Sequence, residues 1–216
     1  ARRFWSMVSA RSSGVPLQYL VGETEFFGLS VLVEAGVFIP RPETEAVVEA
    51  ALKRLQALCR QWRQPLRLVD VGTGTGCIAI ALARHLPACL VLGVELSWTA
   101  LRVARTNVQR HGLARCVRLV HGRWLEPVSG PIDGIIANPP YVSSAQIDRL
   151  PLDVRQEPRL SLDGGAEGLD AIDRIISDAP RVLRPGGLLV MECAEDQVGR
   201  VMAIAARAEW VGQVDP

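Results

Sequence analysis

The clearest pattern in the chain is a series of short apolar runs separated by amphipathic stretches of helical period. Leu66-Arg67-Leu68-Val69-Asp70-Val71 reads as a short buried strand, and Gly72 to Gly76 as a glycine loop. Cys77 to Leu86, almost wholly apolar, predicts a buried helix. Leu90–Glu95 is a second strand. Ser97 then caps a helix that ends before Gly112, with Leu101, Ala104 and Val108 on its inner face. Cys116–His121 and Gly134–Ala137 are a third and a fourth strand. Leu169, Ile172, Ile176, Ala179 and Leu183 mark a helix. Pro185-Gly186-Gly187 predicts a sharp turn into a fifth strand, Leu188–Cys193, and Val198, Val201, Met202 and Ala205 a last helix. Ahead of these, residues 1–22 predict the tail of a helix and a linker broken at Gly14-Val15-Pro16. Residues 23–39 alternate and carry Gly28 and Gly36, which predicts a β-hairpin. Val48, Ala51, Leu52, Leu55 and Leu58 predict an amphipathic helix over 43–60. Pro42 is placed at its first position, and Glu43 and Glu45 favour its first turn.

Strands alternating with helices of this length predict a mostly parallel α/β sheet with helices on both faces, preceded by a small hairpin. Such a sheet binds its ligand beyond the C-terminal strand ends, at the topological switch point. The glycine loop and the ends of the second and fourth strands then share one cleft.

Composition narrows the function classes. The 216 residues suit one domain with a small appendage, and 49% hydrophobic residues support a single core. The net charge of +1 excludes a generic basic nucleic-acid binder. Only one basic residue, Lys53, is a lysine; the other twenty-three are arginines. No apolar run approaches the ~18 residues of a membrane span, and no signal peptide is evident. The five cysteines, at 59, 77, 89, 116 and 193, form no Cys-x-x-Cys pair and have no histidine at ligand spacing. They read as buried free thiols, and no metal site is expected.

Three constellations carry chemistry. In Asp70-Val71-Gly72-Thr73-Gly74-Thr75-Gly76, alternating glycines let the backbone turn sharply and approach a ligand. A dinucleotide loop would need glycine at position 77, where the chain has cysteine, and a count from Gly74 starts two residues late. Asp70 can accept hydrogen bonds in a site for an amino-acid-bearing cofactor. Glu95, closing the second strand, can accept two hydrogen bonds from a ribose diol. The decisive stretch is Asn138-Pro139-Pro140-Tyr141, after the fourth strand. The Asn138 side-chain oxygen and the Pro139 carbonyl can accept both N–H groups of a planar amide or exocyclic amine. Pro139 and Pro140 hold that geometry rigid, and Tyr141 can stack on the target's flat face. No dehydrogenase needs this set.

With these residues the chain resembles the class I S-adenosylmethionine-dependent methyltransferases, specifically the HemK/PrmC family of release factor glutamine N5-methyltransferases. The resemblance also rests on Pro16-Leu17-Gln18-Tyr19-Leu20 with Gly22, and on Phe38-Ile39-Pro40-Arg41-Pro42-Glu43-Thr44-Glu45. It extends to Glu157-Pro158, Leu162-Asp163-Gly164-Gly165, and Pro185-Gly186-Gly187 with Glu192. It implies S-adenosylmethionine as cofactor, held by Asp70, Gly72, Thr73, Gly74, Gly76, Glu95, Leu96, Trp124 and Asn138. It implies a substrate site at Asn138, Pro139 and Tyr141, with Arg41 and Glu43 closing the cleft, and catalysis by Asn138 to Tyr141. The expected partner is a release factor, and the expected protein a cytoplasmic monomer of bacterial type, with an organelle left open. Where the family carries an acid to contact the adenine amino group, this chain has Arg123 before Trp124.

The resemblance divides the chain into a remnant of a docking domain with linker and hairpin, residues 1–40, and a methyltransferase domain, residues 41–216, lacking a final β-hairpin where the chain ends at Val214-Asp215-Pro216. Two alternatives stay open at this level. One is a nucleic-acid N6-adenine methyltransferase acting on a flipped base. The other is a truncated cofactor-binding remnant without catalysis.

Overall fold

The computed structural model describes residues 2–62, 64–86 and 89–210, and the expected chain end at Val214–Pro216 lies outside them. The first 22 residues hold two helices, α1 (Arg2–Ser12) and α2 (Leu17–Val21). The expected linker is therefore partly helical: α2 starts after Pro16, whose φ of −54° suits a helix entrance, and stops at Gly22, whose φ of 89° only glycine adopts readily. β1 (Glu23–Phe26) and β2 (Leu29–Leu32) form the predicted antiparallel hairpin. Phe27 and Gly28 close it with positive φ values of 53° and 70°, the handedness of a two-residue turn matched to strand twist.

α3 (Thr44–Trp62) confirms the amphipathic helix but begins two residues after Pro42, not at it. Thr44, Glu45 and Ala46 donate three residues back, to the carbonyls of Arg41, Pro42 and Glu43, so a tighter turn leads into the helix. Then follow β3 (Leu66–Val71), α4 (Cys77–His85), β4 (Cys89–Glu95), α5 (Trp98–Arg110), β5 (Val117–His121) and β6 (Ile132–Ala137). After three 3₁₀ turns the chain ends its described part with α6 (Asp170–Asp178), β7 (Leu183–Met191) and α7 (Val198–Arg207).

Two expectations fail around β7. The helix through Leu169 stops at Asp178, because Pro180 supplies no N–H and the chain tightens into a 3₁₀ turn over Ala179–Arg181. Leu183 therefore belongs to the strand. Pro185-Gly186-Gly187 is not a turn ahead of the strand but a bulge inside it: pairing jumps from Ile132↔Leu183 to Gly134↔Leu188. Among the described residues β7 lies at the edge of the sheet, where a proline and an unpaired bulge are tolerated. Cys193 falls beyond its end.

The five strands lie in the order β5-β4-β3-β6-β7, all neighbours parallel. The order reverses between β3 and β6, so the glycine loop after β3 and Asn138 after β6 flank the switch point. Alternation along the strands sorts the core. Leu66, Leu68 and Ile136 pack with α3, α4, Phe26 and Val31 on one face. Val69, Val71, Ile135 and Ala137 pack with Ile175 and Ala179 on the other. The hairpin thus shares a core with the sheet. Asn107, fully buried on α5, binds it there: the side chain accepts from Leu32 N at 2.8 Å and donates to Leu32 O and Thr75 O. No helix among the described residues is long and apolar enough to cross a membrane. All five cysteines are free.

Candidate active site

A cleft of about 700 Å³ opens over the C-terminal ends of β3, β4, β5 and β6. Its first wall is the glycine loop. Gly72, Gly74 and Gly76 all have positive φ, at 72°, 56° and 82°. A Cβ on Gly72 would meet nothing within 4 Å, so this part of the cradle is open to a ligand. Asp70 does not line the cleft. It is fully buried beneath the loop, where Oδ2 accepts from the Thr73 hydroxyl and from Ala79 N at 3.0 Å. Its Oδ1 is buried without a partner. The carboxylate fixes the loop from below, a role distinct from the expected direct contact.

Burial pushes the Asp70 carboxyl up to about 7; the bonds from Thr73 and Ala79 oppose the rise, and the Glu95 charge adds to it. The folded state therefore holds a proton here more tightly than the unfolded chain. This contribution to stability grows as pH falls from about 7 towards the ordinary carboxyl value of about 4, and is lost as Asp70 ionises above 7. Asp70→Asn keeps the shape and removes the titration. The stability of the native protein relative to this variant should rise as pH is lowered through that window. Denaturant unfolding of both proteins across it checks this, and a difference independent of pH would contradict it.

Glu95 lines the cleft at the end of β4. Its Oε2 accepts from Gly74 N at 2.9 Å and its Oε1 from Ser97 N at 2.8 Å. One carboxylate therefore joins the glycine loop to the start of α5, which Ser97 caps through Ala100 N. Each oxygen keeps a second lone pair for a ligand hydroxyl. Beyond Glu95, Leu96, Arg123 and Trp124 form the cleft's far end. Trp124 is held at a positive φ of 49°, and the Arg123 guanidinium lies 5.9 Å from its ring centroid.

On the other side of β3, Asn138 and Pro140 line the cleft, while Pro139 is buried. The Asn138 amide nitrogen donates to Thr44 Oγ1 at 2.8 Å. That bond orients the amide and leaves its carbonyl oxygen as the acceptor for a ligand. Tyr141 is not in the cleft lining. Its hydroxyl donates to Glu192 Oε1 at 3.0 Å, and burial with the neighbouring Glu192 charge holds its pKa above the usual range, so it stays a neutral donor. Arg41 and Glu43 are also set back from the lining, near enough to Tyr141 for their charges to act on it. Arg41 is engaged in an ion pair with Glu157.

Sequence reasoning missed Thr44, which is buried and lines the cleft. It follows Arg41-Pro42-Glu43 directly, so the motif was in view but not the residue that touches Asn138. Also missed was Gln197. Its Nε2 donates to Tyr141 O at 2.9 Å and reaches Gly168 O at 3.3 Å, tying the Asn-Pro-Pro-Tyr segment to the loop before α6.

A parallel sheet of this order, with a glycine cradle after β3, a carboxylate after β4 and Asn-Pro-Pro-Tyr at the switch point, defines a class I methyltransferase. The catalytic domain of human Mettl16 has the same fold, with a TM-score of 0.66 at 18% identity over 97% of this chain and 85% of that one. The Methyltransferase small domain family matches residues 30–152. The release factor glutamine methyltransferase of Moorella thermoacetica is 46% identical over 209 residues, which cover 96% of this chain and 72% of that protein. The protein of the same name from Gloeobacter violaceus is 45% identical over 92% of this chain and 68% of its own. The chain belongs to the release factor glutamine methyltransferase family.

Proposed function

We propose that the chain transfers a methyl group from S-adenosylmethionine to the side-chain amide nitrogen of the glutamine in the Gly-Gly-Gln motif of a peptide chain release factor. The observation that carries this reading is Asn138, held by Thr44 with its carbonyl oxygen free, facing the glycine cradle across the switch point. The open Cβ position at Gly72 and the second lone pairs of Glu95 fit the cofactor's chain and ribose. Leu96 and Trp124 fit its adenine. When bound, the cofactor supplies a methyl on a sulfonium, already activated for attack.

The residues of the chain then have a narrow task. An amide nitrogen is a poor nucleophile because its lone pair is delocalised into the carbonyl. Asn138 Oδ1 and the Pro139 carbonyl accept the two amide hydrogens, and those bonds strengthen as positive charge develops on the nitrogen. They also hold the nitrogen in line with the methyl, and such positioning is worth on the order of 7–11 kcal/mol. Tyr141, set back from the lining and fixed by Glu192, anchors the end of the segment that carries Asn138 and Pro139. No side chain is assigned as a base; the proton leaves to water after transfer.

Arg123 cannot accept a hydrogen bond from the adenine amino group. Arg123→Asp should therefore tighten S-adenosylhomocysteine by about three- to tenfold, the worth of one added hydrogen bond. Calorimetry measures this, and unchanged or weaker binding would contradict adenine lying at that end of the cleft.

A cytoplasmic monomer of bacterial type fits the reading, in keeping with the bacterial relatives. The function itself is tested with methyl-labelled S-adenosylmethionine offered to a release factor and, separately, to adenine-containing DNA. Label in the release factor alone is expected. Label in the DNA alone would move the chain to the adenine-acting alternative.

A further inference from the structure

Tyr19 and Glu157 both belong to stretches that carry the family resemblance, and neither has a part in the mechanism above. Both reach the same segment, residues 37–41. The Tyr19 hydroxyl donates to Val37 O at 2.6 Å. Glu157 Oε2 accepts from Ile39 N at 2.9 Å, and Oε1 pairs with Arg41. The Arg41 guanidinium in turn lies 5.1 Å from the Phe38 ring centroid.

This is an unusual place for a carboxylate. The Glu157 side chain is 1% exposed, so its charge is out of water and depends on the partners the segment provides. Burial raises its pKa while Ile39 N–H and Arg41 oppose the rise. The segment it grips is a wall of the cleft: Phe38 and Pro40 face the cavity, as does Thr44 just beyond it, whose N–H donates to Arg41 O at 3.2 Å. Thr44 is also the residue that takes the Asn138 amide nitrogen. A continuous set of contacts therefore runs from Glu157 through Arg41 to Thr44 and Asn138.

We propose that Glu157 is a positioning residue which, with Tyr19, clasps residues 37–41 so that Thr44 keeps the Asn138 amide in the orientation that presents its oxygen to the substrate. The proposal rests on the reading of Asn138 as the substrate acceptor. The chemistry gives orientation its weight: an asparagine turned by half a rotation presents N–H groups to the N–H groups of the substrate, which repels the amide without disturbing the fold.

The test compares Glu157→Ala, which loses both contacts, with Glu157→Gln, which keeps one acceptor for Ile39 N–H but replaces the oxygen that pairs with Arg41 by an NH2 group. In Glu157→Ala, kcat for release factor methylation should fall by at least about tenfold, with KM and S-adenosylhomocysteine affinity changed by less than about threefold. Glu157→Gln should recover part of the loss. A second readout needs no turnover: the side-chain amide ¹H–¹⁵N resonances of Asn138, assigned by their disappearance in Asn138→Ser. They should shift in both Glu157 variants and stay in place in Arg102→Ala, which breaks an exposed ion pair with Glu34. Unshifted Asn138 resonances, or a loss of kcat that only follows a loss of cofactor affinity, would overturn the clasp. A native chain that methylates no release factor would instead overturn the function above, and the amide resonances would still decide the clasp.

Discussion

Replacing Asn138 by alanine is expected to lower kcat for release factor methylation on the order of a hundredfold to a thousandfold. That is the usual cost of removing one hydrogen-bonding group aimed at developing charge in a site closed to water. The substitution removes a side chain that lines the cleft and, among the described residues, bonds one partner, Thr44 Oγ1. It leaves the buried β6 and the prolines that follow in place, so the fold should hold. Cofactor affinity should change by less than about tenfold, the scale of a single hydrogen bond. The measurement is single-turnover methylation at saturating cofactor, with calorimetry on S-adenosylhomocysteine alongside. A variant that binds the cofactor and keeps the native rate would show that Asn138 does not hold the substrate amide.

The second large effect comes from a glycine far from the cradle in sequence. Gly168 has a φ of +72°, and a Cβ there would stand 2.3 Å from Tyr141 O and 2.5 Å from Gln197 Nε2. Neither neighbour can yield cheaply: one is backbone, and the other is the amide that holds that backbone. Gly168→Ala should therefore cost about 1–2 kcal/mol in left-handed backbone and about 1–3 kcal/mol in overpacking. The displaced Tyr141 carbonyl would carry the rigid Pro139-Pro140 pair with it, so activity should fall together with stability. Gly28→Ala is the matched comparison. Its φ of +70° is nearly the same, but a Cβ there would meet nothing within 4 Å. It should show the backbone cost alone and full activity. Thermal unfolding and methylation rates of the pair check this, and equal effects at the two positions would contradict the contact at Tyr141.

These two positions show how legible the site was before the structure. Asn138 stands out because the chemistry proposed for it is local: an amide acceptor followed by two prolines can be read from four consecutive residues. The strands were legible for the same kind of reason, since Leu66–Val71 is mostly apolar and buried and Gly134–Ala137 is wholly so, although the strand that holds the latter starts earlier, at Ile132. Gly168, Thr44, Glu157 and Gln197 act on residues distant in sequence, and no spacing rule reaches that far. Thr44 lies 94 residues from the side chain it orients, and Gln197 lies 56 from the carbonyl it holds. Asp70 shows the opposite error. A carboxylate beside a glycine loop suggests ligand contact, yet complete burial makes it a support for the loop. The Pro-Gly-Gly of β7 was misread for a related reason. The local signal for a turn is sound, but a strand at the edge of the described sheet can absorb it as a bulge.

The central claim is that the cleft presents a planar amide, held by Asn138 and Pro139, to the activated methyl. The most direct measurement is tandem mass spectrometry of a release factor after incubation with the chain and S-adenosylmethionine, compared with the same release factor carrying alanine for the glutamine of Gly-Gly-Gln. The account predicts that one hydrogen is replaced by one methyl on the side-chain nitrogen of that glutamine, and on no residue of the alanine form. A methyl found elsewhere on the release factor, or none with cofactor demonstrably bound, would contradict it.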